Sequence, residues 1–205
     1  MSEHTLSLEA DWCSYFRDVI EDTAKGSARP PDPVMSEYVL GLLTETALPG
    51  SPIERTVGAP LALQLAEALK AARAVRFERL RKLGDGVLLL GGLYQPHLAR
   101  SGLDDGYVVR IGQRAYGLAA SLMPGPATLD LSLESPSPQA DVLAELASSF
   151  TELMLFLRNV ADTMAIRAMR TSKDMVRLLE RWLESRSDYL GRLLKAEGIV
   201  IGALA

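Results

Sequence analysis

Along most of the chain, apolar residues recur at helical rather than strand spacing. Leu8, Trp12, Tyr15, Phe16, Val19 and Ile20 define one face of a helix over residues 8–25, with Ser7 as its N-cap and Gly26 as its stop. SARPPDP follows, and its run of prolines ends the helix. Asp32 and Pro33 restart the chain as N-cap and first helical residue, and Val34, Tyr38, Leu42 and Leu43 carry a second helix to Ala47. LPGSPIERTVGAP reads as a connector. From Pro60, LALQLAEALKAARAVRFERLRKL is the strongest helix former in the chain and is expected to be one helix that ends at the Gly84-Asp85-Gly86 punctuation. VLLLGGLY fits a buried strand or a buried helix. Helix is preferred, because no β-branched run or hairpin partner surrounds it. Asp104 or Asp105 caps a helix to Met123, on which Tyr107, Val108, Ile111, Ala115, Leu118 and Leu122 share a face. Gly112 inside it costs about 1 kcal/mol relative to Ala, which implies close approach by another helix or a ligand.

PGPATLDLSLESPSP is irregular, although Leu129, Leu131 and Leu133 alternate with polar residues and hint at a short extended piece. After Pro138, Leu143, Leu146, Phe150, Leu153, Leu157, Val160 and Met164 form an unbroken seam at spacings of three and four. Residues 139–165 are therefore expected to be a central amphipathic helix. Met154, Leu155 and Phe156 widen its apolar surface. Thr171 to Asp174 (TSKD) resembles a capping box, opening a helix with Met175, Leu178, Leu179 and Trp182 on its apolar face. Ser187 or Asp188 caps a last short helix ending at Gly198, and IVIGALA follows from Ile199. The pattern predicts an all-α fold: a single-domain bundle of six to eight helices, with irregular connectors near 26–32, 48–59 and 124–138.

Composition narrows the chemistry more than the fold. The 205 residues are 48% hydrophobic and 23% charged, values of a globular chain with a sizeable core. A net charge of −4 argues against wholesale binding to nucleic acid or an anionic membrane. Seventeen of the 22 basic residues are Arg, which suggests a GC-rich bacterial source. Cys13 is the one cysteine, so no intrachain disulfide forms. With His4 and His97 as the two histidines, most metal and catalytic-triad constellations lack parts. No metal site, cofactor or catalytic residue is assigned. MSEHTLSLEADW has no apolar signal region, and no apolar run approaches a membrane span, so a cytoplasmic location is expected.

Three places remain for function. A pocket around residues 84–117 would draw polar contacts from Tyr94, His97, Arg110, Gln113, Arg114 and Tyr116. His97 is the one group there able to act as acid, base or sensor near neutral pH, with Asp85, Asp104 and Asp105 close in sequence. The glycines of GDGVLLLGG have neither the spacing nor the preceding strand of a dinucleotide loop. Arg73, Arg76, Arg79, Arg81 and Lys82 form a basic helix end that could meet nucleic acid, although Glu67 and Glu78 accompany it and a solvated face explains it more simply. Lys173, Arg177 and Arg181 form a second basic stripe, expected to pair within the helix with Asp174, Glu180 and Glu184.

The segment from Leu83 to Gly117 resembles a group of uncharacterised bacterial helical proteins. These share a Gly-Asp turn, an apolar Gly-containing helix, then Asp, Tyr, Gly and Ala-Tyr in order. The matching residues are Gly84, Asp85, Gly91, Gly92, Asp104, Tyr107, Gly112, Ala115 and Tyr116. The resemblance implies an α-helical domain and carries no activity. The leading expectation is a non-enzymatic interaction or regulatory protein that binds a protein partner or itself through apolar helical faces. Its candidate interface is Leu153, Met154, Phe156 and Leu157 together with Ile199, Val200 and Ile201. A small-molecule-binding protein or enzyme built on residues 84–117 is the alternative, and nucleic-acid binding through Arg73 to Lys82 is the third.

Overall fold

The computed structural model describes residues 3–47, 56, 58–123 and 138–199, and among them every regular element is a helix. The chain runs through α1 (Glu3–Gly26), α2 (Pro33–Thr46), α3 (Leu61–Lys70), α4 (Arg73–Leu93), α5 (Gln95–Arg100), α6 (Asp105–Leu122), α7 (Pro138–Ser148), α8 (Phe150–Ala168), α9 (Ser172–Ser185) and α10 (Asp188–Ala196). The all-α bundle is as the periodicity predicts. Among the described residues helical segments exceed the expected number because the helix expected over 139–165 is divided and the short α5 is not among those expected. The alternating leucines 129, 131 and 133 lie outside the described residues.

Several helix starts follow local side-chain chemistry. Asp32 accepts hydrogen bonds from Val34 N and Met35 N at 2.7 and 3.0 Å, and Pro33 takes the first helical position. Asp104, not Asp105, caps α6 by accepting from Tyr107 N at 3.0 Å. Thr171 and Asp174 close the expected capping box on α9, and Ser187 caps α10.

Residues 61–83 are not one helix. The chain breaks at Ala71 and Ala72, both extended, and α4 starts afresh at Arg73 and continues through Gly84-Asp85-Gly86 to Leu93. The GDG expected as a stop is thus mid-helix. Arg73 and Arg76 consequently stand at a helix N-terminus, where cations are unfavourable. Each reaches the carbonyl end of another helix instead: Arg73 donates to Leu122 O at 2.8 Å and Arg76 to Ala71 O at 3.1 Å. The seam over 139–165 is interrupted once, where Ser149 leaves helical geometry between α7 and α8. Residues 139–185 are therefore several helices, and 87–93 is helix rather than strand.

From Leu83 to Gly92 every residue of α4 is buried. A helix that is apolar all round must be covered all round. α6 lies along one side of α4 and α8 along another. α7 packs on α6, α3 on α4, and α1 on α2 and α8. Leu143, Leu146, Phe150, Leu153, Leu157 and Val160 of the seam are all buried in this core. Gly112 on α6 faces Phe150, whose ring occupies the place a Cβ would take. That close approach is the reason for a glycine in the helix interior.

A second, smaller apolar cluster joins α9 and α10 to the end of α8. Leu178, Leu190 and Leu194 are its buried members, with Ala165, Ile166, Met169, Leu179, Trp182 and Ile199 around them. α10 is tied inward by a chain of hydroxyls: Tyr189 OH lies 2.8 Å from Thr163 Oγ1, which lies 2.9 Å from Thr23 Oγ1. Among the described residues α9 has no comparable tie along its outer side.

Candidate functional site

Three places combine polar or exposed apolar groups in ways that ordinary packing does not require. The first is Asp85, a carboxylate 1% exposed in the middle of α4. Tyr38 of α2 and Tyr116 of α6 donate their hydroxyls to Asp85 Oδ1 at 2.5 and 2.8 Å. Arg81, one turn before it, reaches Oδ2 at 3.4 Å. Tyr116 sits against Gly84, where a Cβ would meet the phenol ring at 2.7 Å. Gly84, Asp85 and Tyr116 thus form one fitted unit, and Tyr38 packs edge-on to Tyr116. Burial pushes the Asp85 carboxyl above the usual carboxylate range, against the lowering effects of both phenols and Arg81. Burial and the Asp85 charge also push both phenols up. A group enclosed this way ties three helices together and offers no reacting atom to solvent.

The second is Asp162 on α8, 3% exposed. Arg181 of α9 stands 2.9 Å from its Oδ1, but not along an N–H direction, so that oxygen has a charge partner and no aligned hydrogen bond. Burial raises the Asp162 carboxyl to about 6, with Arg181 opposing. Beside the pair, Ala165, Ala168, Met169, Asp174, Arg177, Leu178 and Arg181 line a recess of about 240 Å³ between α8 and α9.

The third is the outer surface of α9. Leu178 is its one buried residue, while Val176 and Leu183 are 49% and 41% exposed. Val176, Leu179 and Leu183 stand at i, i+3 and i+7 and form a single line along the helix. Beside that line, Lys173, Arg177, Glu180 and Glu184 form a second one, all exposed. The intrahelical pairing expected for these charges does not form: among the described residues none of the four has an ion partner within 4.0 Å. Arg181 crosses to Asp162, and Asp174 is held by Thr171 and the Arg170 backbone N–H.

Among the described side chains the expected pocket residues do not converge. Tyr116 points into the core, Arg110 and Arg114 are exposed on other faces of α6, Gln113 is half-buried, and Tyr94 is exposed after α4. His97 lies on α5, and its side chain lies outside the described residues. In the basic stretch from Arg73 to Lys82, Arg73 and Arg76 cap carbonyls and Arg81 serves Asp85, which leaves Arg79 and Lys82 facing outward beside Glu78. Of the expected interface, Leu153, Met154, Phe156 and Leu157 are buried in the chain's own core, and Leu155 between them is exposed. Ile199 packs against the α9–α10 cluster, while Val200 and Ile201 lie outside the described residues.

Sequence reading placed Met175, Leu178, Leu179 and Trp182 on the face of α9 but passed over Val176 and Leu183. The available signal was width: with those two added, the apolar arc is broader than one short docked helix can bury. Among the described residues no three metal-ligating side chains are grouped to hold an ion, and no helix is long and apolar enough to cross a membrane. No known family model, curated protein or solved structure matches the chain.

Proposed function

We propose that the chain is a non-enzymatic, cytoplasmic interaction protein that receives an amphipathic helix on the outer face of α9. The observation that carries this reading is the imbalance of α9 itself. Its inner side docks through Leu178, Arg181 and the half-buried Leu179, while Val176 and Leu183 on either side of Leu179 present their apolar side chains to solvent. Single exposed apolar residues are ordinary; two in register along one helix, joined by the exposed edge of a third, are the form in which one helix recognises another. The expectation of binding through Leu153 to Leu157 moves to this face, because those side chains already serve the core.

The test is site-specific photo-crosslinking in cells of origin, with a photoreactive residue at Leu183 and, as control, at exposed Leu63. Protein adducts at position 183, absent at 63 and lost when Val176→Glu is added, are the expected result. Equal yields at the two positions, or none at 183, would overturn the reading.

A further inference from the structure

The charges beside the apolar line of α9 identify the helix that fits it. Lys173 and Arg177 occupy the first half of their line, and Glu180 and Glu184 the second. Within the helix this order sets like charges one turn apart, Lys173 with Arg177 and Glu180 with Glu184, which is mildly unfavourable. Against a helix running antiparallel the same order becomes complementary. We propose that α9 pairs with α9 of a second copy of this chain about a two-fold axis near Leu179. This rests on the reading of α9 as a helix-receiving face and names its partner.

In an antiparallel pair, equivalent flanks of the two helices meet. Lys173 faces Glu184 of the second copy and Arg177 faces its Glu180, and the two-fold repeats both pairs. Val176 of one copy lies over Leu183 of the other, and only the exposed edges of the two half-buried Leu179 side chains lie near the axis. An isologous contact requires one patch to be its own complement, and the sequence of this face meets that requirement in both its apolar and its charged rows. A partner of uniform charge would be attracted by one half of the row and repelled by the other. A single helix pair lies at the small end of specific interfaces, so the dimer is a weak and reversible one.

Sedimentation of the full chain over a micromolar concentration series tests this, with four proteins compared. Wild type forms a reversible dimer. Lys173→Glu with Arg177→Glu makes the row wholly acidic, Glu180→Lys with Glu184→Lys makes it wholly basic, and each variant alone dissociates at least about tenfold more readily. Mixed in equal amounts, the two variants form a 1:1 dimer, and raised salt weakens it. All substituted positions are exposed, and thermal unfolding unchanged from wild type, at a concentration where wild type is monomeric, verifies the fold of each variant. A wild type that stays monomeric, variants that dimerise as wild type does, or a mixture that fails to pair each overturns the proposal. If wild type is monomeric and Leu183 still crosslinks another protein in cells, the face is real and its occupant is different. If deletion of residues 200–205 from a monomer raises amide exchange over Val176 to Leu183, the occupant is the chain's own tail.

Discussion

The second half of α4 and the whole of α9 are both short, strongly patterned helical stretches, and they are treated in opposite ways. Every residue from Leu83 to Gly92 is buried, and the one carboxylate among them is met by two phenols and a guanidinium. α9 buries Leu178 alone and leaves an apolar line and four unpaired charges outside. An enclosed helix pays for its polar groups by satisfying them internally. An uncovered one keeps charges that form no ion pair within 4.0 Å among the described residues. The first pattern specifies a fold, and the second is where recognition belongs.

The sharpest way to break the enclosed region is to remove its anion. Asp85→Ala leaves two buried phenol hydroxyls without their acceptor and Arg81 with only the more exposed Glu78 as charge partner, so a loss of about 3–5 kcal/mol in urea unfolding is expected. A loss under 1 kcal/mol, of the size usual at surface sites, would show that water replaces the carboxylate and that the cluster is not closed. Gly112→Ala comes next. The substitution favours an isolated helix, yet here its Cβ meets the fully buried Phe150 ring, so a net destabilisation of about 2 kcal/mol is expected by thermal unfolding.

Asp162 lies on the border between the two regions and sharpens the contrast through pH. Its carboxyl stands at about 6 in the folded chain against the ordinary aspartate value of 3.8. Between those values the folded chain holds a proton that the unfolded chain has released. This group's contribution to stability therefore grows as pH falls from above 6 and levels off below 3.8. At neutral pH the buried charge is a liability, only partly offset by Arg181. Asp162→Asn is expected to raise stability by about 1 kcal/mol at pH 7, with the difference from wild type closing on acidification. A difference that widens on acidification would contradict the assignment. The smallest effect is expected where the enclosed region ends. Val176→Glu with Leu183→Glu should shift stability within about 0.5 kcal/mol, because neither side chain is buried.

Much of this was legible in the sequence, and the failures have physical causes. The caps at Asp32, Thr171 and Ser187 act within a few residues, and the seam from Leu143 to Met164 records its own burial, so both could be read directly. Gly84 and Gly112 could not be read alone. A glycine in a helix interior looks like a stop or a weakness until the Tyr116 or Phe150 ring beside it is seen. The Asp85 cluster joins residues 38, 81, 85 and 116, and no local spacing brings those together. Met154 and Phe156 misled for the opposite reason. A wide apolar surface is the same in sequence whether α4 of the same chain covers it or another molecule does, and here α4 and its neighbours cover it.

The most direct test of the division between core and contact surface is a paired measurement on Val176→Glu with Leu183→Glu: urea unfolding and sedimentation of the same preparation. The expected result is loss of the wild-type dimer together with an unchanged unfolding midpoint when both proteins are unfolded at a concentration low enough for the wild type to be monomeric. A lowered midpoint, or a dimer that survives both substitutions, would contradict it.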